Sequence, residues 1–320
     1  MNSPRISVAI PLHDEEHVFP ELIRRVSAVL DVLPGGPHEI VLVDDGSEDR
    51  TFELIREAAA RDSRVVGVQL SRNFGHQAAL TAALETVAGD VVVVMDGDLQ
   101  DRPEEIPQLL AEHERGYDVV YAQRTRRKEG AALRASYFLF YRLLNRLSEL
   151  EVPVDSGDFA LLSRRVVDQL NRLPERHRYL RGLRTWVGFR QTGIPVERDR
   201  RAGGQPSYTV GKLLRLGFDG IFAFSVTPLR AAWILGALAS AAASIYALWA
   251  IFERLFLGTS PQGFTALIVA ITFFAGIQLL FLGLIGEYLG RVYDEAKSRP
   301  HFVITEVVRG DDSGDASHDV

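Results

Sequence analysis

The chain has no cysteine, and that absence sets its first limits: no disulfide framework can staple it, and no thiolate can hold a metal. Any bound metal must sit on oxygen or imidazole ligands. Ahead of the strand-like segment Arg5-Ile-Ser-Val-Ala-Ile10 there is also no apolar stretch or small-residue cleavage site of a secretory signal, so the N-terminal domain is expected to stay in the cytoplasm. No internal repeat is present, and only the tail after Gly310 reads as disordered. Neither sign of charge dominates, the 36 basic and 42 acidic residues leaving a net charge of -6. Their distribution is uneven. Arginine prevails from Arg124 to Arg215, which suits an anionic partner, whereas Asp311, Asp312, Asp315 and Asp319 make the tail acidic. Nothing in this pattern calls for nucleic acid as a partner.

What is present first is a regular alternation. Ile6 to Leu12 is a short apolar run, and Pro20 to Leu33 carries Leu22, Ile23, Val26, Val29, Leu30 and Leu33 at helical spacing. Glu39 to Val43 reads as a buried strand, Arg50 to Arg61 as a helix, and Val65 to Leu70 as a strand. Ala78 to Val87, Asp90 to Met95, Glu104 to Arg115 and Val119 to Ala122 continue the series. Strands alternating with helices predict an α/β fold with a mostly parallel sheet and helices on both faces. In such sheets ligands bind beyond the carboxyl ends of the strands. Three polar clusters fall there: Pro11 to Glu16, Asp44 to Ser47 and Asp96 to Asp101.

Two long apolar runs follow. Ala231 to Phe252 is 22 residues without a charge, and Phe264 to Gly286 is another 23. As helices each would cover roughly 33 Å against a hydrocarbon core of about 30 Å, so both are expected to span a bilayer rather than to be core helices. Arg215, Arg230, Arg291, Lys297 and Arg299 flank the outer ends, while the connector carries only Glu253 and Arg254 as charges. By the positive-inside rule both termini are expected in the cytoplasm, at the inner (plasma) membrane. Gly211 to Phe224 reads as an amphipathic helix lying in the interface, or as an ordinary surface helix. The expected division is a catalytic domain over 1–210, an interfacial helix over 211–228, a transmembrane hairpin over 229–290 and a cytoplasmic tail over 291–320.

The chemistry lies in the acidic clusters. Val91-Val-Val-Val-Met95 runs into Asp96-Gly97-Asp98-Leu99-Gln100-Asp101, placing two carboxylates two residues apart directly after a strand. Such a pair repels unless a cation lies between, and all-oxygen sites of this kind suit Mg²⁺ or Mn²⁺, which keep positions open for substrate phosphates. The competing reading is an acidic turn that caps the helix beginning near Pro103. Asp44-Asp45-Gly46-Ser47 is expected to contact a ligand and also, through the Ser47 hydroxyl, to cap the following helix. Asp14 and Glu15 are placed to accept hydrogen bonds from ribose hydroxyls, or else serve as first-turn residues of the next helix; His13 is a further candidate.

These motifs resemble the GT-A fold glycosyltransferases of family 2, and within them the polyprenyl-phosphate glycosyltransferases related to dolichyl-phosphate mannosyltransferase. The resemblance covers nearly the whole chain. Pro11-Leu-His-Asp-Glu-Glu16 resembles the family's opening donor motif, with Asp14 where Asn is usual, and Val43-Asp-Asp-Gly-Ser47 its nucleotide-binding turn. Ser71-Arg-Asn-Phe-Gly75, Asp96-Gly-Asp-Leu-Gln-Asp101, Ser156-Gly-Asp-Phe159 and the run Gly286-Glu-Tyr-Leu-Gly-Arg291 through Arg299-Pro300 also match, in order. Gly97 and Arg102 depart from the commoner Ala and Pro but leave the carboxylates in place. The resemblance implies that Asp96, Asp98 and Gln100 bind Mn²⁺ or Mg²⁺ and that Pro11, His13, Glu15, Asp44 and Asp45 contact the nucleotide-sugar. Asp158 matches the residue usually assigned as catalytic base, with Asp155 as the competing candidate. A phosphate monoester, however, has a second pKa near about 6 and needs little deprotonation, so Asp158 is equally a candidate for orienting the acceptor or completing a metal shell.

A lipid phosphate approaching a diphosphate-sugar brings like charges together, and Arg124, Arg134, Arg200, Arg201 and Lys212 are the cations expected to hold the phosphates of donor or acceptor. The expected reaction is inverting transfer of one sugar, from UDP-glucose first and GDP-mannose next, to polyprenyl phosphate. A processive polysaccharide synthase fits less well, because two spans are few for a polymer channel and Arg184-Thr185-Trp186 lacks the Gln-x-x-Arg-Trp spacing of such synthases. A non-catalytic membrane scaffold is the third reading, opposed by the intact carboxylate pair, whose repulsion costs stability without a ligand. Gly236, Ala239, Ala243, Gly276 and Gly283 would let membrane helices pack closely in a homo-oligomer.

Overall fold

The computed structural model describes residues 5–124, 156–176, 178–196, 227–257 and 263–310. They fall into two compact units, one made of 5–124, 156–176, 178–196 and 299–310, the other of 227–257 and 263–298.

The first unit opens with β1 (Ile6–Leu12), α1 (Phe19–Val32), β2 (Glu39–Asp44), α2 (Thr51–Arg61), β3 (Val65–Leu70), α3 (His76–Thr86) and β4 (Val91–Val94). A 3₁₀ turn at Pro103–Glu105 leads to α4 (Ile106–Glu114), then β5 (Val119–Arg124), β6 (Ser156–Ser163), α5 (Arg164–Arg172), α6 (Leu180–Trp186) and β7 (Gln191–Val196). Each predicted element up to β5 is present, with ends shifted by no more than two residues. The reason is that both periodicities were clean. β1, β2 and β4 are buried at every position, as strands covered on both faces must be, and α1 buries Phe19, Leu22, Val26, Val29 and Leu30 along one stripe. A fully buried Val, Leu or Ile contributes about 1.5–3 kcal/mol, so these runs fix which faces point inward.

The sheet has the order β7-β5-β6-β4-β1-β2-β3-β8, where β8 is Ile304–Arg309. Its centre, β4-β1-β2-β3, is parallel, so β1, β2 and β4 end at one edge. β6 is antiparallel to both β4 and β5. Its register pairs Val94 with Ala160, and two residues further along this register Asp96 comes opposite Asp158. The beginning of β6 is thereby delivered to the edge where β4 ends.

The segment over 291–320, expected as a tail, contains a strand: β8 pairs antiparallel with β3 and takes the sheet's outer edge. A single strand with no hairpin partner carries no turn signal, and its burial on β3 is partial, which is why sequence periodicity did not reveal it. Gly67 makes the fit possible. A Cβ there would meet Ile55 Cγ2 at 2.4 Å and Val308 Cγ2 at 2.6 Å. Arg56 and Glu306 add an ion pair at 2.8 Å, and Ser71 N–H donates to the Val303 carbonyl at 2.9 Å.

The second unit holds α7 (Thr227–Phe252), a π-turn at Glu253–Leu257 and α8 (Phe264–Ala296). Both helices are long and apolar enough to cross a membrane, the mean hydropathy of an 18-residue window reaching 1.8 within Ala232–Phe252 and 2.5 within Leu267–Ala296. α7 begins four residues before the expected Ala231. α8 continues ten residues past Gly286, and the added turns are polar, with Glu287 and Arg291 paired at 3.0 Å. The interfacial helix expected over 211–228 lies outside the described residues apart from its last two, which belong to α7.

Gly67→Val should lower stability by about 1–3 kcal/mol, because the added side chain must displace packed atoms of α2 and β8. Thermal unfolding of the full chain in detergent would show a lower midpoint; an unchanged midpoint would mean that β8 is not seated on β3 in solution.

Candidate active site

Three loops meet at the carboxyl edge of β1, β2 and β4, and the first two are sewn together by hydrogen bonds. Ser47 Oγ accepts the Asp14 N–H at 3.0 Å, Asp14 Oδ1 accepts the Glu48 N–H at 2.9 Å, and Thr51 Oγ1 accepts the Glu15 N–H at 2.9 Å. Asp49 Oδ2 accepts the Glu16 N–H at 3.1 Å, and Glu16 Oε2 accepts the Arg50 N–H at 3.2 Å. Asp14 itself sits at φ +53°, a left-handed conformation rare outside glycine. Asp14 and Glu16 thus hold the two loops in register.

The Ser47 expectation is corrected here. Its hydroxyl donates to Asp44 Oδ1 and does not cap α2, whose N-cap position is Arg50 and makes no side-chain cap bond. The first N–H of α2 is taken instead by Asp49, whose Oδ1 accepts from Thr51 at 2.9 Å. Ser47 is three residues too early to reach the helix, and the buried Asp44 carboxylate competes for its hydroxyl. Burial pushes the pKa of Asp44 up, against the lowering effect of the Ser47 bonds. Asp45 is raised by burial too, although its oxygens accept the backbone N–H groups of Phe74 at 2.7 Å and Gly75 at 2.9 Å. It holds the segment after β3, and a nucleoside would have to share those oxygens. His13 Nε2 lies 2.9 Å from Asn73 Nδ2, joining the same segment to the first loop.

The third loop follows β4. Gly97 lets it pass against β1, since a Cβ would come within 2.3 Å of Leu12 Cδ2 and 3.2 Å of the Pro11 carbonyl oxygen. Leu99 adopts φ +57°, and the Gln100 N–H donates to Asp98 Oδ1 at 3.1 Å. The N-cap residue of the 3₁₀ turn after it, Arg102, makes no side-chain cap bond.

At the heart of the site stand Asp96, Asp158 and His76. Their ligand atoms lie within 4.8 Å of one another, with His76 Nε2 3.6 Å from Asp96 Oδ1 and 3.9 Å from Asp158 Oδ2. Arg181 grips Asp158 with a two-pronged fork, Nε to Oδ1 and Nη2 to Oδ2, both 2.7 Å. Arg184, one turn further along α6, is 1% exposed; Nη1 reaches the Gly157 carbonyl at 3.4 Å while Nε and Nη2 have no hydrogen-bond partner among the described residues. Burial pushes its pKa down to about 10. Burial would raise Asp158, but the Arg181 fork, with the charges of His76 and Arg184, outweighs it and holds this carboxyl below the usual carboxylate range.

Two carboxylates and an imidazole converging so closely, on a side where His76 is 44% and Asp96 26% exposed, fit a divalent cation bound by oxygen and nitrogen. Asp98, two residues beyond Asp96, does not belong to this three-residue group. The sequence reading missed His76, Arg181 and Arg184. His76 directly follows Ser71-Arg-Asn-Phe-Gly75 and so was within reach, whereas α6 carries no motif that singles out its arginines. The backbone of Arg124 ends β5; its side chain, and Arg134, Asp155, Arg200, Arg201 and Lys212, lie outside the described residues.

The model of the family described as Glycosyl transferase family 2 matches residues 7–170, which contain every element of this site except α6. The chain belongs to that family. As a family 2 glycosyltransferase it is 42% identical over 93% of its length to YkcC of Bacillus subtilis, an uncharacterized glycosyltransferase, covering 92% of that protein. It is 36% identical over 96% of its length to the bactoprenol glucosyl transferase of Shigella phage SfII, covering 99% of that chain. Among solved structures, S. aureus TarS in complex with UDP-GlcNAc aligns over 68% of this glycosyltransferase and 66% of its own chain, with TM-score 0.47 and 16% identity.

Gly46 sits at φ +63°, and a Cβ there would fall 2.3 Å from the Arg72 carbonyl carbon and 2.6 Å from the Asn73 nitrogen. Gly46→Ala should cost more than the roughly 1–2 kcal/mol of a left-handed alanine, because backbone must also move. Urea unfolding would show the loss, and donor KM should rise; unchanged values would mean that the two loops are not pressed together.

Proposed function

We propose that this glycosyltransferase transfers one glucose from UDP-glucose to polyprenyl phosphate, with inversion at the anomeric carbon, at the cytoplasmic face of a membrane. GDP-mannose is the next donor to consider. The observation that carries the reading is the convergence of Asp96, Asp158 and His76 at the carboxyl edge of the sheet, fed by the loops of a family 2 fold. The glucosyl and bactoprenol parts are supported by the bactoprenol glucosyl transferases, which match over nearly their whole length, and by two helices able to span a bilayer.

In this reaction an oxygen of the lipid phosphate bonds to the anomeric carbon as the bond from that carbon to the donor diphosphate breaks, and the electron pair leaves with UDP. Asp96, Asp98, Gln100 and His76 are the residues to hold Mn²⁺ or Mg²⁺. When bound, the cation supplies countercharge to the leaving diphosphate. Asp44, Glu15, Pro11 and His13 are assigned to the nucleoside, Asp45 to supporting them through the segment it holds. Arg124, Arg134, Arg200, Arg201 and Lys212 are assigned to the phosphates. Asp158 is assigned to completing the cation's shell beside Asp96 and His76 rather than to acting as a base, because the acceptor phosphate is already largely anionic at neutral pH. The basic flanks of the spans support a topology with both termini in the cytoplasm.

The test is transfer of radiolabelled sugar from UDP-glucose, GDP-mannose and UDP-N-acetylhexosamines to polyprenyl phosphate, with Mn²⁺ or with EDTA. UDP-glucose should label the lipid with one sugar, EDTA should abolish labelling, and Asp96→Ala should reduce it by about 100-fold or more. Labelling from another donor would change the sugar assignment, products longer than one sugar would favour a processive synthase, and no labelling from any donor would defeat the reading.

A further inference from the structure

Arg181 is absent from the motifs that brought the other residues to attention, yet it makes the most complete contact in the site. Both oxygens of Asp158 accept from it, each at 2.7 Å, and the carboxylate is only 10% exposed. Without the fork, Asp158 would rotate about its last torsion and swing away from Asp96, which repels it. With the fork, the carboxylate plane is fixed, and the lone pairs not taken by Arg181 remain toward His76, 3.9 Å away. Arg184 lies behind, buried against the Gly157 carbonyl and 5.1 Å from the Tyr121 ring, so the backing of Asp158 is rigid. His76 is the exposed member of the cluster and Asp96 is half-buried beside it.

We propose that Arg181 is a positioning residue: it acts through Asp158, fixing that carboxylate toward His76 and Asp96 as the outer support of a divalent-cation site, and contacts neither substrate. The proposal deepens the cation-dependent transfer proposed above and rests on that reading for its kinetic part alone. Outer partners that orient ligating carboxylates typically contribute 10–100-fold to metal affinity or activity. A lysine in this place would keep the charge and lose the fork.

The test uses the full chain in detergent, with Mn²⁺ binding followed by electron paramagnetic resonance and transfer kinetics measured in parallel. Arg181→Ala should bind Mn²⁺ about 10–100-fold more weakly, lower kcat to a similar degree, and leave both substrate KM values within roughly 3-fold. Arg181→Lys should recover little of either. Ethylguanidinium should restore part of the Mn²⁺ affinity to Arg181→Ala but none to the Asp158→Asn, Arg181→Ala double variant; a merely destabilised protein would not respond to it. Unchanged Mn²⁺ affinity in a folded Arg181→Ala, or a raised KM with unchanged kcat, would overturn the proposal. Should Arg181→Ala fail to fold, Arg181→Lys carries the same comparison. Mn²⁺ binding needs neither donor nor acceptor, so a wild type that binds Mn²⁺ without transferring sugar would defeat the functional reading and leave this test intact.

Discussion

The repulsion between Asp96 and Asp158 is the constraint around which the site is built. Their oxygens lie within 4.8 Å of each other and of His76. Two unit charges at that distance repel by roughly 3 kcal/mol at an effective dielectric near 20, a substantial part of the stability of an ordinary domain. The fold keeps them together by applying positive charge from the buried side, Arg181 directly on Asp158 and Arg184 behind it, while the His76 imidazole lies on the other side. A cation and an anionic donor reaching Asp96 and His76 would complete the neutralisation, which links the cost of assembling the site to its chemistry.

The sheet supplies the convergence. Parallel strands bring the ends of β1, β2 and β4 to one edge, but a parallel sheet alone would not bring a residue from far down the chain beside Asp96. The antiparallel β6 does so by running the other way, so that its first residues meet the last of β4. The loops after β1 and β2 then brace each other through Asp14, Glu16, Ser47 and Asp49, and Asp45 ties in the segment leading to His76. Several acidic residues conspicuous in the sequence therefore hold loops in place.

How much of this could be read beforehand depended on how local the signal was. β1 through β5 were legible because buried runs and amphipathic stripes repeat over a few residues, and the carboxylate motifs were legible because they follow strands directly. Asp158 was found by resemblance, and its partnership with Asp96 required the β4–β6 register, a long-range pairing that no periodicity encodes. β8 was missed for the same reason: it depends on Gly67 in β3, more than two hundred residues earlier. Ser47 was misassigned because capping propensity is a local tendency, and the nearby buried carboxylate of Asp44 makes the stronger claim on its hydroxyl. Arg181 lies in a short helix whose sequence resembles many others, and only its distance to Asp158 distinguishes it.

The most direct test of the central claim is an anomalous-scattering map from crystals of the protein grown with Mn²⁺ and UDP. The account predicts one strong manganese peak in contact with Asp96 and within reach of Asp158 and His76, beside the diphosphate. A manganese ion bound to UDP away from this cluster, or no manganese in a crystal whose UDP is fully ordered, would contradict it.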